Sequence, residues 1–217
     1  MKNQEYLPIN LSLDNKKFLV VGGGNIACHK IDLLTPRGAH ITVIAKQPDP
    51  KILELEKNSL LYLKQKEYET SDLEYMHYVI AATDDADVNQ KVYDDCKARN
   101  VLVNVVDDPK HCDFIFPSIL RRGSITFTVS TAGKSPFLSA FLRQIMEQAF
   151  AEEWLTIGEL AGQYRKHVMK MFKDRTDIKN ECYKRFLDVN WVELIRKEGE
   201  EAAEQYYSQL VASLDEI

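Results

Sequence analysis

The first regular hydrophobic pattern is Lys17-Phe-Leu-Val-Val21, which runs directly into three glycines. An apolar, β-branched run of this length predicts a strand buried on both faces. A helical period follows from about Asn25 to Leu34 and is closed by Pro36 and Gly38. Residues 40–45 form the second apolar strand pattern. Asp49 and Pro50 then open a short helix over 52–56. A third strand is expected at 60–65, a short acidic helix near 71–75, and a fourth strand at 77–82. Thr83, Asp84 and Asp85 offer capping oxygens to a helix running through 89–98, and residues 101–106 read as a fifth strand. Strand and helix alternate at the spacing of βαβ units. The expected fold class is therefore α/β, a Rossmann-type doubly wound parallel sheet.

After Asp113 the pattern changes. Residues 114–120 and 124–130 read as two strands with no helix between them, joined by Arg121, Arg122 and Gly123. A helix starts at Ser135-Pro136 and passes Met146. From 151 onward apolar positions recur at helical spacing: Trp154, Leu155, Ile157, Leu160 and Tyr164, then Phe186, Trp191, Leu194 and Ile195. The expected domains are 1–113, a nucleotide-binding sheet; 114–150, a small α+β region; and 151–217, a helical C-terminal domain.

Composition narrows the function classes. The chain has 217 residues, 45% of them hydrophobic, which suits a globular core. No apolar run approaches the roughly 20 residues a membrane span needs. Residues 1–10 lack a basic-then-apolar signal pattern, so a cytoplasmic location is expected. Cys28, Cys96, Cys112 and Cys182 form no CxxC pair, which argues against a zinc ribbon and dithiol redox chemistry and for reduced thiols. The net charge of -5 disfavours nucleic acid as a partner. One stretch departs from that balance. Between 109 and 146, Lys110, Arg121, Arg122, Lys134 and Arg143 stand against Asp113 alone. Either an anionic small ligand is bound here, or the counter-charges lie elsewhere in space.

Candidate chemistry gathers at the ends of the strand patterns. In Gly22-x-Gly24-x-x-Ala27 the first glycine permits a tight turn and the second lets a phosphate approach the backbone. The small third residue lets helix and strand pack closely, and the helix start attracts the anion. The acidic residue often found after the second strand is missing. Lys46 and Gln47 stand there instead, so NAD and NADP stay open on these residues. Thr83 and Asp84 either touch the cofactor or cap the next helix. Asp107 and Asp108, after the fifth strand, are placed for general base or metal chemistry, or for an ordinary Asp-Asp-Pro turn. The histidines show no metal spacing. His111, four residues after Asp107, either joins it or is a solvated loop residue.

Five ordered motifs carry a resemblance: Val20-Val-Gly-Gly-Gly-Asn-Ile-Ala27, Ala81-Ala-Thr-Asp-Asp85, Val103-Asn-Val-Val-Asp107, Cys112-Asp-Phe-Ile-Phe-Pro117 and Ser130-Thr-Ala-Gly-Lys-Ser-Pro136. Over about residues 7–147 the chain resembles the precorrin-2 dehydrogenase / sirohydrochlorin ferrochelatase family, the first part of siroheme synthases. The resemblance implies NAD-dependent oxidation of precorrin-2 to sirohydrochlorin, and in some members insertion of Fe2+ to give siroheme. It implies cofactor contacts at Asn25, Ile26, Lys46 and Gln47, which join Gly22 and Gly24 of the glycine turn and the Thr83 and Asp84 alternative given above. Asp107 matches the family's essential aspartate, with a transient metal contact there in the chelatase step. Residues 114–146 would build a dimerisation region, so a homodimer is expected. Arg121, Arg122, Thr131 and Lys134 are the expected substrate contacts, and together with Arg143 the three basic residues would neutralise carboxylates of the polyanionic tetrapyrrole. With no methyltransferase domain, the chain is not expected to make precorrin-2 itself. The departure is Asp108 beside Asp107, where some relatives carry a small residue. Two carboxylates facing one pocket would hold a proton more tightly and favour a metal. The rival reading, a non-enzymatic NAD-sensing Rossmann module, has no use for the Cys112 and Ser130 motifs.

Overall fold

A computed structural model describes residues 5–216. Met1 to Gln4, part of the stretch read as lacking a signal pattern, and Ile217 lie outside the described residues. The chain divides into two compact units, Met1–Phe116 and Pro117–Ile217.

The first unit runs β1 (Lys17–Val21), α1 (Asn25–Leu34), β2 (His40–Ile44), α2 (Pro50–Lys57), β3 (Tyr62–Lys64), β4 (Tyr78–Ala81), α3 (Ala86–Arg99) and β5 (Leu102–Val105). All strands are parallel, in the order β3-β2-β1-β4-β5. This is the α/β Rossmann-type sheet expected from the sequence. Alternate residues of β1 serve opposite faces, as strand geometry requires. Phe18 and Val20 pack with Ile31 of α1 and Ile52 of α2. Leu19 and Val21 pack with Val92 and Cys96 of α3. Both faces are covered, so each such residue contributes about 1.5–3 kcal/mol by leaving water. The order reverses between β1 and β4, and that switch point opens a crevice at the strands' carboxyl ends.

Several expected boundaries move. The third strand shrinks to three residues, and the acidic helix near 71–75 is a 3-10 turn, Thr70–Leu73. Phe114 and Phe116 are not strand residues but pack against the core of the first unit. Two ties hold them: the Asp113 amide donates to Val103 O at 2.8 Å and Asn104 Nδ2 to Phe114 O at 2.9 Å. The α3 cap is Asp85, whose carboxylate accepts from the Asp87 and Val88 amides.

In the second unit β6 (Ser118–Arg122) and β7 (Ile125–Val129) form an antiparallel hairpin. Arg121 and Arg122 belong to the strand. Gly123, at φ +55, is the residue that turns the chain. Helices α4 (Pro136–Ala149), α5 (Trp154–Met171), α6 (Thr176–Leu187), α7 (Trp191–Glu198) and α8 (Glu200–Ala212) follow. Ile157, Leu160, Tyr164 and Val168 line one face of α5 and pack with Cys182, Phe186, Trp191 and Tyr207. Trp191 Nε1 donates to Phe186 O at 2.8 Å, which satisfies the buried indole. Among the described residues no helix is long and apolar enough to cross a membrane.

Candidate cofactor and catalytic site

The glycine turn sits at the carboxyl end of β1, beside the switch point. Gly22 has φ +124, and a Cβ there would stand 2.2 Å from Ala82 O. Only glycine fits. Gly24 differs: a Cβ on it would meet nothing within 4 Å. It is the N-cap of α1, with no capping side chain and no acidic residue in the first turn. Asn25 and Ile26 are exposed residues of the uncapped first turn, with the helix dipole behind them, the environment an anionic phosphate needs. The turn is fastened to the loop after β2 by the Asp49 amide donating to Gly23 O at 2.8 Å.

Lys46 and Gln47 are exposed at the end of β2. Lys46 pairs with Glu67 at 2.7 Å, and this hydrogen bond holds the lysine above and the glutamate below their ordinary values. Glu67, from the loop after β3, thus brings to this edge the acid that the second strand lacks. Sequence spacing offered no signal for it. Thr83 Oγ1 lies 2.9 Å from Asp85 O and 2.8 Å from Asn89 Oδ1, so its hydroxyl staples β4 to α3. Asp84 beside it is exposed.

Asp107 follows β5 at the same edge. It is exposed and has φ +60, a left-handed conformation uncommon outside glycine and asparagine-like residues. The chain turns there, and this separates the two aspartates. His111 Nδ1 lies 2.5 Å from Asp108 Oδ2, not on Asp107. Asp108 also accepts from the Lys110 amide. Chiefly through the His111 contact, its carboxyl is held below the ordinary value. Asp108 is thus committed to its own loop. With Asn89, Gln90 and Val106 it lines a pocket of about 220 Å³. Cys112 Sγ donates to Val105 O and Asp108 O, at 3.1 and 3.3 Å, and pins the loop underneath.

Lys30 of α1, like Glu67, is a residue that the sequence pattern did not single out. Its ammonium lies 4.8 Å from the centre of the Phe116 ring. Burial pushes it below the ordinary lysine value, while the Asp107 carboxylate pulls the other way.

The first unit thus gathers Gly22, Gly24, Asn25, Ile26, Lys46, Gln47, Thr83, Asp84 and Asp107 on one sheet edge. Arg121, Arg122, Thr131 and Lys134 belong to the second unit. Arg121 Nε donates to Gly123 O at 2.8 Å. Thr131 Oγ1 accepts from the Ser135 amide at 3.0 Å, and Lys134 is exposed. Arg122 lines a cleft of about 620 Å³ with Glu147, Glu152, Glu153 and Glu200. Arg143 pairs with Glu147 at 2.7 Å. Of the basic surplus read from the sequence, Arg143 is thus paired within its own helix, and Arg122 shares its cleft with glutamates. Among the described residues no group of three or more His, Cys, Asp or Glu side chains is arranged to hold a metal ion.

Sheet order, switch point and glycine turn together define a Rossmann-type α/β unit with a phosphate-accepting helix start. Residues 9–118 match the family model described as "Putative NAD(P)-binding", and the chain belongs to that family. Curated relatives are siroheme synthases. That of Methylococcus capsulatus is 42% identical over 164 residues, 76% of this chain and 35% of that protein. That of Zymomonas mobilis is 38% identical over 174 residues, covering 79% and 37%. That of Pseudoalteromonas translucida is 36% identical over 207 residues, covering 95% and 44%. The chain thus spans less than half the length of these relatives. A solved structure, SirC, precorrin-2 dehydrogenase, superposes with a TM-score of 0.77 over 94% of this chain and 100% of that one, at 24% identity. That likeness speaks for the fold.

Proposed function

We propose that the chain oxidises precorrin-2 to sirohydrochlorin with NAD as hydride acceptor, acting in the cytoplasm as a homodimer. The observation that carries this reading is Asp107, held in a left-handed turn on the sheet edge that bears the glycine cradle. It stands within a sequence 36–42% identical to siroheme synthases.

The residues present fit a dinucleotide. Gly24 leaves its cradle open, and uncapped amides at Asn25 and Ile26 receive the pyrophosphate. Lys46 and Gln47 are the candidates at the adenosine ribose, with Asp84 on the facing loop. Glu67 favours NAD over NADP, because a carboxylate beside Lys46 accepts from a ribose hydroxyl and repels a 2′-phosphate. When bound, NAD supplies the hydride acceptor. Asp107 accepts the proton that leaves the macrocycle as the hydride departs, which balances the oxidation. Arg121, Thr131 and Lys134 are the candidates for the substrate's carboxylates. Arg122, outnumbered by glutamates, is the weakest of that set. Residues 114–150 serve as the dimerisation region. The exposed apolar face of α4 supports this, with Phe137 81% and Phe141 56% exposed.

Purified protein given precorrin-2 and NAD yields sirohydrochlorin on this reading, followed by the tetrapyrrole absorbance. Asp107→Ala still binds NAD but loses at least about 100-fold in rate. Wild-type turnover by that variant removes Asp107 from the chemistry. Iron insertion, with Fe2+ as substrate and Asp107 as its transient contact, is assayed separately by supplying sirohydrochlorin and Fe2+ without NAD.

A further inference from the structure

A half-buried lysine without a counter-ion is costly, and Lys30 is one. It lies on α1, one turn past Ile26, with its ammonium over the Phe116 ring at 4.8 Å. Among the described residues it makes neither an ion pair nor a hydrogen bond. The ring offsets part of the lost hydration, since an aromatic face attracts a cation. The Asp107 carboxylate is near enough to favour the charged form, yet burial outweighs it. Three N–H donors thus stand unused within electrostatic reach of the proposed proton acceptor. Lys46, Lys51, Lys64 and Lys66 of the same unit, by contrast, each hold a carboxylate.

We infer that Lys30 is an anion anchor that receives a carboxylate of the substrate. The ligand class is a polycarboxylate, because an ammonium held over an aromatic face, with no carboxylate paired to it among the described residues, has its donors left for an anion. This assignment rests on the tetrapyrrole reading above. It adds to that reading a fixed point in the first unit, where sequence analysis had placed all the substrate contacts beyond Asp113. Lys30 is a specificity residue. It moves no proton and reaches no reacting bond.

The test compares wild type, Lys30→Met and Lys30→Arg in three measurements. Sirohydrochlorin binding is read by fluorescence quenching, precorrin-2 turnover by absorbance, and NADH affinity by fluorescence titration. Lys30→Met weakens sirohydrochlorin binding and raises the precorrin-2 KM, each about tenfold, as expected for one charge-assisted hydrogen bond. Its kcat and NADH affinity change less than about twofold, and Lys30→Arg restores most of the binding. The Tm of Lys30→Met stays level or rises, because a desolvated charge has gone while the aliphatic stem over Phe116 remains. Equal sirohydrochlorin affinity in Lys30→Met and wild type overturns the assignment, as does a loss confined to NADH binding. Lys30-dependent binding without precorrin-2 turnover in wild type strikes down the dehydrogenase reading and leaves the anchor standing.

Discussion

Gly22 and Gly24 stand two residues apart in one turn, yet they are glycine for different reasons. Gly22 is demanded by the protein: its φ is +124 and Ala82 O occupies the place of a Cβ. Gly24 has ordinary backbone angles and empty space where a Cβ would go. Gly22→Ala is therefore expected to cost about 2–4 kcal/mol in urea unfolding. Gly24→Ala should leave stability within about 0.5 kcal/mol and weaken NADH binding in a fluorescence titration. The reverse pattern would reassign the cradle. The motif was legible in sequence because both demands select the same residue. Lys30 and Glu67 were not legible. Each gains its meaning from a partner far away in the chain, Phe116 with Asp107 for one and Lys46 for the other. His111, which the sequence leaves between Asp107 and a solvated loop, meets Asp108 next to the left-handed turn at Asp107.

Among the elements, the short stretch between β3 and β4 depends most on charge. Asp72 in the 3-10 turn has a side chain only 3% exposed. Its carboxylate meets Lys64 at 3.1 Å, Lys66 at 2.9 Å and the Glu69 amide at 3.0 Å. Burial lifts the Asp72 carboxyl, but these three partners outweigh it and hold it below the ordinary value. A depressed folded pKa means that its contribution is full above the unfolded value, about 4, and is lost as pH falls through the folded one. Asp72→Asn is expected to cost about 2 kcal/mol at pH 7. The gap to wild type should close as urea unfolding is repeated toward pH 2. A gap unchanged by acid would mean that packing, not charge, holds the turn. The order of the five parallel strands along the chain was readable, because a sheet covered on both faces writes unbroken apolar runs. Strand ends were not. Val101 and Val106 continue the hydrophobic pattern past the last paired residues, Leu102 and Val105. Phe114 and Phe116 are apolar for the sake of the neighbouring core, not for a ladder.

For the whole molecule, the sequence announced a change of texture after Asp113 but not what it was for. The α4 helix lays Leu138, Phe141, Leu142 and Ile145 along one exposed face, 37–56% accessible. Such a stripe on a surface helix is unfavourable in water unless something covers it. With a second copy as the cover, Phe137→Asp combined with Phe141→Asp should convert a dimer into a monomer by analytical ultracentrifugation, with NADH binding retained in the first unit. A double variant that sediments like wild type would mean that α4 is not the interface.

The parallel order β3-β2-β1-β4-β5 has a kinetic consequence. The earliest strand in the chain is the middle one in the sheet, so Phe18 waits for Tyr78 before its second neighbour exists. Every pairing in that sheet joins residues at least 20 positions apart, whereas β6 and β7 pair directly across the turn at Gly123. Pairings between distant segments are slow to form and local ones fast. The sheet that carries the cofactor cradle is made first but should close after the β6–β7 hairpin.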